Sequence, residues 1–130
     1  MKIERLCRTV AVIQSDIGFL IKRGLKGEIM SDLHEFPYFE IEPNAFSPQA
    51  AQEMVSDNLK LCVEQITVLE KVDQGFTRYQ VRLFPILFVC RNPRQIPGMQ
   101  WLSHEKLMNL AFSSGHRKIF QQLDDWLLPV

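Results

Sequence analysis

The residue types that most often carry out chemistry are present in this chain, but their spacing matches none of the common catalytic patterns. The three histidines, His34, His104 and His116, fall on separate predicted elements without metal-ligand spacing. The sequence has no G-x-S-x-G segment for a nucleophilic serine, and no G-x-G-x-x-G or G-x-x-x-x-G-K-S/T loop for a nucleotide. We therefore expect surface or interface roles for the histidines.

The three cysteines, Cys7, Cys62 and Cys90, are odd in number and widely spaced. No pair forms C-x-x-C, so neither a disulfide framework nor a zinc site is indicated. We expect three reduced, buried thiols. There is no signal-peptide pattern and no apolar stretch of about 20 residues, so the sequence predicts a cytoplasmic protein without a membrane contact.

The composition is that of one globular domain of 130 residues. Lysine and arginine total 15, aspartate and glutamate total 15, and the formal net charge is zero. A general polyanion binder would be strongly basic. Any contact with nucleic acid must therefore be local.

The order of the predicted elements favours an α+β fold in which a mixed β-sheet is packed between helices. A helix is expected to begin with Ser47 as its N-cap and Pro48 at its first position. Pro85 predicts a bulge or an edge position in a long strand. Strands are predicted at 8–14, 19–22, 65–72, 76–90 and 99–102, an extended segment at 33–41, turns at 15–18 and 73–75, and further helices at 103–109 and from 113 or 114 onward.

Residues 33–42 read Leu-His-Glu-Phe-Pro-Tyr-Phe-Glu-Ile-Glu, and the predicted helix that follows carries Glu53 and Asp57. This layout resembles the Nudix family, in which an E-F-P-G-G segment leads into a carboxylate-rich helix. The resemblance implies an α/β/α Nudix-like fold. In active members it also implies carboxylates on one helix face, which hold divalent metals against a diphosphate.

The Nudix box, G-x5-E-x7-R-E-U-x-E-E-x-G-U with U an aliphatic residue, is not preserved here. Its leading glycine falls on Tyr38, its arginine on Gln52, and its metal-binding pair on Ser56 and Asp57. Glu53 and Asp57 are the box positions that remain acidic, and their spacing places them on one helix face. Two carboxylates are few for metals bound to a diphosphate, so we expect a solvated acidic face and no metal site.

Four motifs in order narrow the resemblance to the C-terminal Nudix-like domain of MutY-type A/G-specific adenine DNA glycosylases. The family pattern runs G-L-W-E-F-P, then H-x-F-S/T-H before a long strand, then a tryptophan before a helix, then a turn before a helix that begins near an R-K pair. The corresponding segments here are 32–37, 74–79, 101–107 and 112–119. Their order matches along the whole chain, which is thus expected to be one domain, 1–130.

Some family residues are changed. The tryptophan of the first motif is His34, and the two histidines of the second are Gln74 and Arg78, whereas its Phe76-Thr77 centre is kept. The helical catalytic domain of that family, with its 4Fe-4S iron–sulfur cluster, precedes this region. The resemblance therefore implies that the chain is the C-terminal domain of a larger glycosylase and holds no cofactor of its own.

The resemblance implies that the domain reads 8-oxoguanine opposite adenine in double-stranded DNA, while the N-terminal catalytic domain of the same polypeptide removes the adenine. Phe76 offers an aromatic face beside a base. Thr77 has a hydroxyl that can address the O8 acceptor or the protonated N7 of the oxidised base. Arg78 can contact a base edge or a phosphate, and Tyr79 and Arg82 complete the expected DNA-binding residues. No catalytic residue is expected.

Four basic side chains are further candidates for a patch that follows the phosphate backbone, or else form a solvated face. They are Lys71, Arg82, Arg91 and Arg94.

The sequence leaves two other functions open. A divergent Nudix hydrolase would use magnesium, held by Glu53 and Asp57, to cleave nucleoside diphosphate derivatives. A Nudix-like interaction domain would bind protein only. Magnesium-dependent turnover separates the hydrolase from the lesion reader, and a lack of response to both DNA and nucleotides indicates the interaction domain.

Overall fold

The computed structural model describes residues 2–23, 33–75 and 78–126. The described strands are β1 (Glu4–Ser15), β2 (Gly18–Arg23), β3 (His34–Glu35), β4 (Tyr38–Ile41), β5 (Val63–Val68), β6 (Val72–Gly75), β7 (Tyr79–Cys90) and β8 (Met99–Leu102). The helices are α1 (Pro48–Leu59), α2 (His104–Met108) and α3 (Ser114–Gln121), and a 3-10 turn follows at Asp124–Trp126. Among these residues no helix has the length and apolarity needed to cross a bilayer.

The eight strands form one mixed sheet centred on β1 and β7. These two strands are parallel, from Glu4 opposite Tyr79 to Gln14 opposite Val89. On its other side β1 pairs with β2 and β4, and β7 pairs with β5 and β6, all antiparallel. Strands β3 and β8 pair with β2. Any side chain near the start of β1 and β7 is therefore placed by a continuous three-strand register, β1–β7–β6.

Helices cover both faces of this sheet. On one face Val10 and Val12 belong to an apolar core shared with α2 and α3. On the other face Ala11 and Ile13 belong to a core shared with α1. Strands buried on both faces need apolar side chains at successive positions, which is why these residues form a continuous run. The predicted α+β class, with a mixed sheet between helices, is confirmed.

Helix α1 begins as the sequence predicts. The Ser47 hydroxyl accepts a hydrogen bond from the Ala50 N–H at 3.0 Å, and Pro48 occupies the first helical position. Such a cap satisfies one of the N–H groups that the first turn leaves without a partner. The helix ends at Leu59, and its C-cap Lys60 has a left-handed backbone with a φ of 55°.

The turn predicted at 73–75 is wrong, because these residues belong to β6. Asp73 lies opposite Arg82 and Gly75 opposite Gln80 in an antiparallel pair with β7. The strand predicted at 65–72 is accordingly divided into β5 and β6. The Asp-Gln-Gly tripeptide has a turn-like composition, but pairing with the long strand β7 overrides this local preference.

Pro85 lies in β7, which is a central strand, so the predicted edge position is wrong. The predicted bulge is not found in β7 either, because its register with β1 is continuous. The Pro85 carbonyl accepts a hydrogen bond from the Leu69 N–H at 3.0 Å, on the side where β5 gives way to β6. The nitrogen and carbonyl of one strand residue point to the same side. The missing N–H of Pro85 therefore faces a break in the ladder, and a proline is tolerated there. The register shift lies instead in β5, between Gln65 and Thr67.

All three cysteines are free thiols, as expected. Cys90 is buried, Cys7 is half-buried and Cys62 is exposed, so the expectation of three buried thiols is wrong for Cys62. Burial raises the pKa of the Cys90 thiol, which keeps it protonated and unreactive.

Candidate nucleic-acid interface

Three of the predicted lesion-reading residues, Arg78, Tyr79 and Arg82, lie at the start of β7 or within it, and β7 forms a hairpin with β6. Phe76 and Thr77 lie outside the described residues, so their roles stay predictions. Arg78 and Tyr79 are exposed at the start of β7. The Glu4 N–H donates a hydrogen bond of 3.0 Å to the Arg78 carbonyl, which fixes this start against β1. The hairpin thus presents Arg78 and Tyr79 to solvent from a backbone that is held on its β1 side.

Gln74, at the position of the first family histidine, is buried against α3. A Cβ placed on Gly115 would lie 2.5 Å from the Gln74 side-chain oxygen and 2.8 Å from Cδ1 of Leu83. The side chain of any other residue at 115 would therefore push against β6 and β7. Gln74 and Gly115 thus place α3 against the hairpin. Sequence reasoning missed this contact between distant segments, because no local pattern at either residue indicates it.

Arg82 is paired with the residue directly across the hairpin, Asp73. Its Nε lies 2.8 Å from Oδ1, and its Nη2 lies 3.4 Å from Oδ2. The hydrogen bond from Arg82 lowers the pKa of the Asp73 carboxyl, and Asp73 in turn raises the pKa of Arg82. A guanidinium has five N–H donors. Arg82 is therefore held in one orientation and keeps donors for another acceptor.

The predicted phosphate-tracking patch is not one surface. Strand β7 rises by about 3.3 Å per residue, which separates Arg82 from Arg91 by about 30 Å. Arg91 is paired with Glu64, with 3.3 Å between Nε and Oε1. Arg94 lies beyond the far end of β7, in the loop before β8. The expectation of a continuous patch is therefore wrong, and Arg82 belongs to the hairpin end alone.

A cavity of about 430 Å³ opens beside the same hairpin. Its lining includes Arg5 and Cys7 of β1, Gln80 and Arg82 of β7, and Pro43 from the loop after β4. No sequence pattern indicates this cavity, because its walls come from segments that only the sheet register brings together.

The E-F-P segment is anchored by His116 of α3. The Phe36 N–H donates a hydrogen bond of 2.9 Å to Nδ1 of His116, which is completely buried. Nε2 of His116 lies 3.5 Å from Oε2 of Glu35, the oxygen that also accepts from the Ser113 hydroxyl at 3.1 Å. Burial lowers the pKa of His116 to about 3. The residue is a neutral core histidine, so the expected surface or interface role is wrong for it.

The helix that corresponds to the Nudix box does not gather carboxylates. Glu53 and Asp57 are both exposed on α1. Gln52, at the position of the box arginine, donates from Nε2 to the Val63 carbonyl at 2.8 Å and accepts at Oε1 from Gln65 at 2.7 Å. Within the described ranges, no three histidine, cysteine, aspartate or glutamate side chains are grouped so that they could hold a metal.

The family of the chain follows from its sequence. The family model described as "NUDIX domain" matches residues 9–122, so the chain belongs to this family. No curated protein matches the chain.

Solved structures with the same fold come from more than one functional class. The C-terminal domain of mouse MUTYH, solved in complex with human PCNA, has a TM-score of 0.67 and 18% identity, with 92% of this chain and 88% of that chain covered. The MutT protein from Methanosarcina mazei has a TM-score of 0.68 and 15% identity, with 96% of each chain covered. The E. coli dihydroneopterin triphosphate pyrophosphohydrolase has a TM-score of 0.65 and 17% identity, with coverages of 94% and 97%. At these identities the likeness establishes the fold alone.

Proposed function

We propose that this chain is the lesion-recognition module of an adenine DNA glycosylase and reads 8-oxoguanine opposite adenine in duplex DNA. The observation that carries the proposal is the hairpin of β6 and β7. In this hairpin Gly75 of β6 is paired with Gln80 of β7, and positions 76 and 77 lie between them in the sequence. The four ordered motifs and the likeness to the mouse MUTYH domain support the same function.

The side chains around the hairpin suit recognition of an oxidised base. Phe76 supplies an aromatic surface beside the base pair, and Thr77 supplies a hydroxyl for O8 or N7 of the lesion. Arg78 and Tyr79, both exposed, can reach a phosphate or a sugar. Because the chain has no net charge, the grip on the duplex comes mainly from the N-terminal catalytic domain, which carries the iron–sulfur cluster.

Thr77→Ala is expected to lower discrimination between 8-oxoguanine and guanine by about fivefold, the equivalent of one hydrogen bond. The measurement is an amide chemical-shift titration of the chain with two duplexes that differ only in the oxidised base opposite adenine. Thr67→Ala, on strand β5, is the matched control and should leave discrimination unchanged. An equal loss of affinity for both duplexes with Thr77→Ala would contradict the assignment.

The alternative function is a divergent magnesium-dependent Nudix hydrolase. It is favoured by the likeness to MutT and to the E. coli pyrophosphohydrolase, and by the two acidic side chains on the exposed face of α1.

Under the lesion-reader proposal, no magnesium-dependent turnover of nucleoside triphosphates, 8-oxo-dGTP included, is expected above the level of the buffer. The check is phosphate and pyrophosphate release with and without magnesium. Glu53→Gln tests the helix face, and Glu42→Gln is an exposed control outside it. Turnover that Glu53→Gln abolishes and Glu42→Gln preserves would establish the hydrolase instead.

A third function, binding of protein alone, is supported by the complex in which the mouse MUTYH domain is joined to human PCNA. The duplex titration separates it from the lesion reader. An interaction domain of this kind would show no shift with either duplex or with nucleotides.

A further inference from the structure

Two rows of residues that cross three strands form much of the lining of the cavity beside the hairpin, which also includes Leu6, Gln74 and Val81. Register places Arg5 opposite Gln80 and Gln80 opposite Gly75. The second row runs from Cys7 to Arg82 to Asp73. Residues two apart in a strand face the same side of the sheet. Both rows therefore lie on one face, away from the row that contains Gln74 and packs against α3.

Gly75 leaves the end of the first row open. A Cβ at this position would meet no atom within 4 Å, and its backbone is outside the left-handed region. Neither packing nor backbone conformation therefore requires a glycine here. The missing side chain leaves the backbone bare at the edge of the cavity, which lets a ligand approach it closely.

The charge of the cavity favours an anion. Arg5 is exposed, and its guanidinium has no ion pair or hydrogen bond within the described part of the chain. Arg82 is fixed by Asp73 and keeps donors that this carboxylate does not use. The two arginines face one aspartate, which leaves an excess of positive charge.

We propose that this cavity binds the phosphate of a nucleotide. Arg5 and Arg82 donate to the phosphate oxygens, the amide of Gln80 adds a donor and an acceptor, and Pro43 and Cys7 contact the sugar or base. A cavity of about 430 Å³ is large enough for one nucleotide unit. The phosphate belongs to a DNA backbone or to a free nucleotide. The proposal rests on the proposed function only for the first of these sources, and there only on its binding of duplex DNA.

The test is an amide chemical-shift titration of the whole chain with four probes: dGMP, deoxyguanosine, and the two duplexes with and without the oxidised base. Three variants accompany the wild type. Arg5→Gln removes a charge without breaking a described contact, and Gly75→Leu fills the cavity. Arg94→Gln is the matched control, because this exposed arginine lies beyond the far end of β7.

Shifts at Arg5, Gln80 and Arg82 with dGMP or with a duplex, and none with deoxyguanosine, are expected. Arg5→Gln and Gly75→Leu should each weaken this binding by about tenfold, and Arg94→Gln should not change it. A response to dGMP identifies a free-nucleotide site, and a response to duplexes alone identifies a backbone contact. No shift with any probe, or equal weakening by Arg5→Gln and Arg94→Gln, overturns the proposal.

The outcomes for the cavity and for lesion reading are separable. Equal shifts at the cavity with both duplexes, without lesion-dependent shifts at 75–79, would support the phosphate site and contradict lesion reading. Lesion-dependent shifts at 75–79 without any shift at the cavity would support lesion reading and contradict the phosphate site.

Discussion

Lowering the pH from 7 to 5 should cost the folded protein about 2 kcal/mol through His116 alone. The folded pKa is about 3, below the ordinary value of 6.5. The unfolded chain therefore takes up a proton as the pH falls through 6.5, while the folded chain does not. The stabilisation is complete above that pH and is lost progressively down to about pH 3. Burial is the main cause of the low pKa, and the charges of Arg8 and Lys22 add to it; Glu35, 3.5 Å from Nε2, opposes it.

The measurement is urea unfolding of the wild type and of His116→Gln at pH 7, 6 and 5. Glutamine can still accept the hydrogen bond from the Phe36 N–H, but it does not titrate. The difference in unfolding free energy between the two proteins should shrink by about 2 kcal/mol from pH 7 to pH 5. A difference that stays constant over this range would show that His116 titrates with the same pKa in the folded and the unfolded state.

Much of the scaffold could be predicted because it depends on local signals. The cap of α1 is encoded by adjacent residues, Ser47 and Pro48, and the β1–β2 turn by residues 15–18. The buried strands were recognisable from their β-branched and apolar runs. In each of these cases the residue that decides the structure lies within a few positions of the element that it shapes.

The candidate site was less predictable because its contacts join distant segments. The pair formed by Arg82 and Asp73 depends on β6 being a strand, and a composition typical of a turn concealed that strand. The contact between Gln74 and Gly115 joins residues about 40 positions apart, a separation that no local pattern encodes. The register of the paired strands decides which side chains share a face of the sheet, and the sequence alone did not indicate that register.

The contacts that hold helix α1 in the fold do not involve the acidic side chains on its exposed face. Its buried residues, Ala51, Val55 and Leu59, pack on the sheet. Gln52 ties it to β5 through two hydrogen bonds. These contacts need no carboxylate on the exposed face, so the acidic positions of the box are free to change without loss of the helix. Under the proposed function, recognition is carried by another part of the fold, the hairpin end of the sheet, where Arg78 and Tyr79 are exposed and a cavity opens beside them.

Gly18→Ala is expected to destabilise the protein by at least about 3 kcal/mol, or to prevent folding. Gly18 has a φ of 123°, a conformation that L side chains rarely adopt. A Cβ there would also overlap the carbonyl group of Leu102 and lie 2.9 Å from the nitrogen of Ser103. These are backbone atoms at the end of β8, so they cannot rotate away as a flexible side chain would. The turn was predictable from sequence, but the approach of β8 was not.

Two other glycines separate the cost of the backbone conformation from the cost of the contact with β8. Gly98 has a φ of 78°, and a Cβ added to it would have no atom within 4 Å, so Gly98→Ala should cost only the backbone penalty of about 1 kcal/mol. Gly75 has neither constraint, and Gly75→Ala should change stability by less than about 0.5 kcal/mol. Urea unfolding of the three variants should therefore rank them Gly18, Gly98, Gly75. If Gly18→Ala cost no more than Gly98→Ala, the contact with β8 would contribute nothing, and the backbone conformation alone would explain why a glycine stands at this turn.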